Sequence, residues 1–512
     1  MSAMDKVPGV LPYYFEVDDR GAMVTALGGL PVYLDLAHLA GLCRMVQQNM
    51  KTRPNQGWTD GQMVLALVML NLAGGECVED IRRLAADKAF MKVYRRAEHH
   101  GLGRQERREL ARRFRRGRKG DLPSPSAIFD WLAEFHDPEQ EKLRQEGKAF
   151  VPAANEALQG LAKVIGGLAA FVQKQHPVSI ATLDMDATLI ETFKEAALYG
   201  YKGYKAYQPL NVSWFEQGQT LYSEFRDGNV PAGYEQLRVF KAALALLPPG
   251  VLKVRLRSDT AGYEHALLRY CALGENATFG VIDFCISCDI SPQFKEATLR
   301  VGVAEWHKEM RRNKKGEEEW TGREWAEVNF VPEAIGRSKK DPEYRYVAVR
   351  ERLQQQALPG MEEGQPKLPF PTLEIEAVTY KLHGIVTNMA WEGSALLRFH
   401  YERCGKSEER HAVHKEDFAG GKMPSGDFGE NAAWWLIAVL SANLNEAMKR
   451  LVLEGDWASK RMKAIRFWLI NVTGQLLQGV RQLGIRLAKE HRGSRVLAQA
   501  RQRIAQMATA TG

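Results

Sequence analysis

The stretch "ATLDMDATLIET", residues 181–192, sets Asp184 and Asp186 one residue apart inside an apolar run. Side chains alternate along a strand, so both carboxylates leave the same face, roughly 7 Å apart. A buried charge is costly unless something compensates it. A chain that keeps two carboxylates in a core strand must supply positive charge there and build a sheet around them.

The flanking residues read as that sheet. "VSIATLDMDATLI" is a strand, and "YQPLNVSWF" and "TLYSEFR" are two more, joined by the hairpin signal "EQGQ". "AGYEQLRVFKAALALL" is a helix ended by "PPG", "LKVRLRSD" an alternating strand, "AGYEHALLRYCALG" a helix and "FGVIDFCISC" a strand. The order β-β-β-α-β-α-β predicts an α/β, RNase H-like core. Upstream, "LPVYLDLAHLAGLCRMV", "WTDGQMVLALVMLNLAGG" and "LPSPSAIFDWLAEF" read as helices. Downstream, "WAEVNFVP", "YRYVAVRERL" and "LEIEAVTYKLHGIVT" read as strands, and helices then resume. The expected organisation is a helical N-terminal DNA-binding domain over 1–150 and a first part of the catalytic core over 151–289. A β-rich insertion over 290–388 follows, and 389–512 completes the core and adds C-terminal helices.

Composition narrows the class. The 512 residues hold no apolar run of membrane-spanning length and no secretory pattern at the start. Six scattered cysteines make no disulfide framework, and the lone C-x-x-C of Cys285 and Cys288 has no second pair to complete a zinc site. A cytoplasmic, nucleoid-associated protein without a membrane partner is expected. The net charge of +8 is concentrated. In "RQERRELARRFRRGRK", 104–119, nine Lys/Arg face two Glu, and between Lys449 and Arg503 thirteen face three acids. Such segments suit a phosphate backbone, with Arg112, Arg113, Arg115 and Arg116 as candidate contacts.

"LKVRLRSD" ends in Asp259, and sites collect at the carboxyl ends of strands in α/β sheets. Asp186 and Asp259 converge if their strands are neighbours, and two such carboxylates repel unless a divalent metal lies between them. A two-metal site needs a third acid. In "YERCGKSEERHAVHK", read as one helix, Tyr401, Cys404, Glu408, His411 and Lys415 form a stripe. There Glu408 can ligate while Tyr401 and Lys415 hold phosphate oxygens.

These motifs resemble the bacterial insertion-sequence transposases of the DDE class, in the branch with a Tyr-Arg-Glu-Lys signature and a β insertion before the last acid. "LDMDATLIE", "YKGYKAYQPL", "RSDTAGYEHALLRYC" and "DFAGGKMPSGDFGENAAWW" carry the resemblance, which runs over roughly 30–490. Tyr401, Glu408 and Lys415 fall in register with the signature; its arginine position holds Cys404, and Arg403 beside it is the candidate DNA contact. The resemblance implies Asp186, Asp259 and Glu408 as catalytic metal ligands for two Mg²⁺ ions, with Mn²⁺ as a substitute. Asp184 is a fourth candidate ligand or an assisting group behind the others. It implies cleavage at terminal inverted repeats, strand transfer into target DNA, and a homodimer on double-stranded DNA. Lys202 and Lys205, interleaved with tyrosines, are candidates for the flanking strand, and Trp320 for stacking on a base flipped out near the cut. The rivals are an RNase H-like nuclease without strand transfer and a transposase-derived DNA-binding regulator.

Overall fold

The computed structural model describes residues 23–52, 56–114, 117–313, 315–332, 342–353, 370–375, 378–479 and 482–511, with the two short strands Val7–Pro8 and Tyr14–Phe15. Its centre is a ten-stranded mixed sheet. Strands β1 (Ile180–Ala187), β2 (Leu210–Trp214) and β3 (Gln219–Glu224) form an antiparallel meander. Helix α6 (Gln236–Leu244) leads into β4 (Lys253–Ser258), which pairs parallel to β1. Helix α7 (His265–Ala272) leads into β5 (Asp283–Cys288), parallel to β4. The elements thus follow the predicted order through residue 288.

The strands of 290–388 lengthen this same sheet. They are β6 (His307–Arg312), β7 (Glu318–Val328), β8 (Arg345–Arg352), β9 (Thr372–Ile375) and β10 (Val378–Thr387). The order across the sheet is β6-β7-β8-β10-β5-β4-β1-β2-β3, with β9 on β10. Gly384 shows how closely β10 seats on β5: a Cβ there would lie 2.5 Å from the Cys288 sulfur. The Pro-rich stretch 358–369 lies outside the described residues.

A helical part of the chain adjoins the meander at β3. It includes α1 (Leu30–Leu39), α2 (Asp60–Ala73), α3 (Arg104–Arg112), α4 (Pro125–Leu132) and α5 (Glu156–Gln175) from the N-terminal part. From the C-terminal part come α10 (Phe428–Leu451) and α11 (Arg492–Thr511). Helix α2 starts at a reciprocal cap, with Gln62 N donating to Thr59 Oγ1 and Thr59 N to Gln62 Oε1. It stops at Gly74, whose φ of 98° is left-handed. Helix α10 buries Trp434 and Trp435 and nearly every other side chain. One apolar core runs from Leu30 to Ile504, so segments 1–150 and 389–512 both contribute to it. Cross-links such as Tyr33 Oη to Asn445 Oδ1, 2.8 Å, satisfy polar groups inside it. A hairpin of Gly474–Gln478 and Leu483–Leu487 joins the C-terminal helices, and its first strand pairs with Val24–Thr25. Among the described residues no single helix is long and apolar enough to cross a membrane.

Two local expectations change. The basic segment 104–119 is helical only as far as Arg112. The segment 401–415 is two helices, α8 (Gly393–Tyr401) and α9 (Lys406–Ala412), followed by a wide turn over Val413–Asp417. Gly405, at φ 76°, makes the break, a backbone conformation that a residue with a Cβ rarely adopts.

Candidate active site

Parallel pairing of β1 with β4 sets Asp184 opposite Arg257 and Met185 opposite Ser258, so Asp186 and Asp259 lie together where the two strands end. Ser258 Oγ donates to Met185 O at 3.2 Å and ties the strand ends together. Asp259 begins a tight turn, its Oδ1 accepting from Ala261 N at 3.0 Å. Asp186 and Asp259 line one cavity of ≈ 530 Å³. Burial raises the Asp186 carboxyl to about 7; Arg403 opposes this, and the negative charges of Asp259 and Glu408 add to it. Mutual repulsion of this kind is what a divalent cation relieves.

Asp184 has its own answer. Arg257 Nε donates to its Oδ1 at 2.7 Å and Nη2 to its Oδ2 at 3.0 Å, and both side chains are buried. The compensation expected from a metal is, for this aspartate, a guanidinium on the neighbouring strand. Arg257 Nη1 also donates to Phe399 O at 2.6 Å, linking the acid-bearing strands to α8.

The third acid is near but engaged. Glu408 stands in the first turn of α9, and its Oε2 accepts from Gly405 N at 2.6 Å. It does not line the cavity that holds the two aspartates. The structure therefore brings Asp186 and Asp259 together and leaves Glu408 capping its own helix, within electrostatic reach of Asp186. Arg403, not Cys404, turns inward: its Nη2 is 3.4 Å from Asp186 Oδ2, while Cys404 is exposed. The helical stripe is not formed. Tyr401 faces the insertion strands, with its hydroxyl 3.3 Å from His383 Nδ1 and its ring 5.1 Å from the Arg323 guanidinium. Lys415 Nζ donates to Leu189 O at 3.2 Å, just past Asp186. Burial lowers its ammonium, Glu416 opposes this, and the charge of Lys202 adds to the lowering.

The remaining candidates scatter around this centre. Lys202 and Lys205 sit by the rings of Tyr201 and Tyr199, at 5.9 and 5.8 Å. Arg112 is exposed at the end of α3. Arg113 instead anchors a loop, donating from Nε to Gly57 O at 2.9 Å. Arg115 and Arg116 lie outside the described residues. Trp320 is 48% exposed on the β6–β7 hairpin, its indole donating to Arg323 O at 2.9 Å and its face 5.2 Å from Lys308 Nζ.

Three features escape a sequence reading. Arg257 is one. A buried polar network is the second: Ser287 Oγ lies 3.0 Å from both His383 Nε2 and His400 Nε2, joining β5, β10 and α8. Burial, with nearby cations, lowers His383 to about 4. The third is the lining of the cavity itself. The charge of Arg257 in an apolar strand was the available signal for the first; nothing local marks the others.

A separate trio, His136, Glu141 and Asp427, offers ligand atoms within 4.8 Å of one another. Both Glu141 oxygens already accept from the first amides of α10, Phe428 N at 3.0 Å and Gly429 N at 2.8 Å. The positive end of that helix disfavours a cation there.

A family model described as Transposase DDE domain group 1 matches residues 13–509. No curated protein matches the chain. Among solved structures, a cryo-EM structure of a piggyBac transposase synaptic complex with hairpin DNA is similar at 9% identity and a TM-score of 0.36, covering 87% of this chain and 80% of that one.

Proposed function

The chain belongs to the DDE transposases, matched across nearly its whole length, and we propose that it cuts DNA at the terminal inverted repeats of a bacterial insertion sequence and joins the freed ends to target DNA. The observation that carries this reading is the pairing of Asp186 and Asp259 at the ends of adjacent parallel strands, on one cavity, with Asp186 raised by burial and by its acidic neighbours. The meander β1-β2-β3 followed by parallel β4 and β5 supports an RNase H-like core.

Asp186, Asp259 and Glu408 form a set of hard oxygen donors that fits Mg²⁺, with Mn²⁺ as a substitute. Two such ions, when bound, supply activation of the attacking water or 3′ hydroxyl and stabilisation of the leaving oxygen. The chain's own residues do the positioning. Arg403 holds Asp186 in place, Lys415 and Lys202 present positive charge beside the strand end, and Asp184 acts through Arg257 rather than as a ligand. Glu408 must reach the cavity that it does not line before it can ligate beside the two aspartates. Tyr401, Lys205, Arg112, Arg115, Arg116 and the exposed Trp320 complete the proposed contacts to double-stranded DNA, while Arg113 holds the loop at Gly57. A homodimer on the paired ends and a cytoplasmic, nucleoid-associated location belong to the same reading.

The purified chain is incubated with DNA carrying its element's ends and a target plasmid, with and without Mg²⁺. Metal-dependent cutting at the ends followed by joining to the plasmid supports the proposal. Cutting without joining points to a nuclease, and end binding without cutting to a regulator.

A further inference from the structure

The cavity beside Asp186 and Asp259, which Glu408 does not line, reaches two turns, at Tyr199–Tyr201 and at Gly228–Asn229. We propose that it binds one unpaired nucleobase of the DNA strand being cut. The inference rests on the transposase reading and adds a binding site that this reading does not assign.

Beyond the two aspartates, the chemistry of the lining suits a base better than a phosphate. The side chains that line the cavity include Glu146, Gln208, Asn229, Tyr199 and Tyr201 besides the two aspartates, and no Lys, Arg or His. Away from the two aspartates and the metal that they would hold, a phosphate would meet only negative and neutral groups. A base with an amino group meets acceptors. Gln208 is 6% exposed, and its side-chain oxygen has no hydrogen-bond partner among the described residues. The Asn229 side-chain oxygen is likewise buried without one, and its amide group, donating to Gln145 O and Lys148 O, holds the side chain in place. A buried acceptor left unpaired costs free energy that an incoming N–H donor recovers. Adenine, cytosine and guanine each carry an exocyclic amine; thymine does not.

The shape agrees. The volume falls within the roughly 300–1,000 Å³ typical of small-ligand sites. Tyr199 and Tyr201 are 54% and 75% exposed, far more than large aromatic side chains in a core, and they stand at the rim. Each ring has an ammonium near it, from Lys205 and Lys202 respectively. Stacking rings flanked by cations suit single-stranded DNA, with the base on the ring and its phosphates outside. The floor, Asp186 and Asp259, puts the captured base next to the bond to be cut. Trp320 does not line this cavity, so the two stacking groups serve different nucleotides.

The test is a double-mutant cycle read as binding by the full chain. The probe is a duplex of the element's terminal repeat in which each nucleotide flanking the cut is made abasic in turn. In the wild type, the lesion at one position is expected to weaken binding about tenfold, and in Tyr199→Ala/Tyr201→Ala by about twofold or less. Tyr201→Phe should keep the wild-type penalty. Gln208→Met should remove the preference for an amino-bearing base over thymine at that position. Both tyrosines are exposed, so their loss leaves the fold intact. A lesion penalty equal in wild type and double variant at every position would overturn the base pocket alone. A wild type that binds the terminal repeat no better than a random duplex would overturn the proposed function, and the pocket with it.

Discussion

Arg257 grips Asp184 through two parallel hydrogen bonds of 2.7 and 3.0 Å, in a place where neither side chain meets solvent. Removing one partner of a buried pair leaves an uncompensated charge, which costs about 3–5 kcal/mol. Arg257→Met should therefore lose stability on that scale in a denaturant titration. Asp184→Asn should retain more DNA cleavage than Asp186→Asn, because its carboxylate faces an arginine and not the cavity. Cleavage rates in the reverse order would exchange the two roles.

Asp186 carries the pH dependence of the site. Its carboxyl is raised from the ordinary 3.8 to about 7, chiefly by burial. Between about pH 4 and pH 7 the folded chain keeps a proton that the unfolded chain has lost, so stability from this group falls as pH rises through that window and levels off above it. Thermal melts without divalent metal should show this slope, and Asp186→Asn should flatten it. A cation competes with the same proton, so Mg²⁺ measured calorimetrically should bind more tightly at about pH 8 than at about pH 6.

Much of this centre is legible in the sequence because strand periodicity is local. The apolar alternation around Asp184 and Asp186, the end of "LKVRLRSD" and the hairpin signal "EQGQ" depend on neighbours a few residues away. The pairing of Asp184 with Arg257 is not local: it exists only once β1 and β4 lie in parallel register. Residues 401–415 show the limit of periodicity. Their spacing fits a single helix, but Gly405 breaks it, which turns Arg403 inward, turns Tyr401 to the insertion strands and lets Glu408 cap α9. The shared core of Leu30 to Ile504 is equally invisible, because each amphipathic helix reveals its apolar face but not the partner that covers it.

The basic segment separates into two behaviours. Arg112 is exposed on α3, while Arg113 holds the loop at Gly57. Arg112→Ala should lower the slope of log affinity against log salt by roughly 0.9 if it contacts one phosphate. Arg113→Ala should instead lower the melting temperature as the loop loses its anchor. An unchanged salt slope for Arg112→Ala would mark that arginine as a solvated surface group.

Trp320 presents an exposed indole on a hairpin with Lys308 at its face. If it stacks on a base flipped out near the cut, Trp320→Ala should slow second-strand cleavage by about tenfold, and Trp320→Phe should largely restore it. A fluorescent base analogue at the transposon tip reports the unstacking. An unchanged signal and rate in Trp320→Ala would make the residue structural.

The central claim is that Asp186, Asp259 and Glu408 act together as the metal-dependent cutting centre of a transposase. Its most direct test is strand cleavage by Asp186→Asn, Asp259→Asn and Glu408→Gln on labelled end DNA in Mg²⁺, with end binding measured in parallel. The predicted result is loss of cleavage in all three with binding kept, which requires Glu408 to reach the cavity of the two aspartates. Near-normal cleavage by any one of them would contradict the account, and for Glu408→Gln it would mean that the helix cap seen in the structure is the whole of that residue's role.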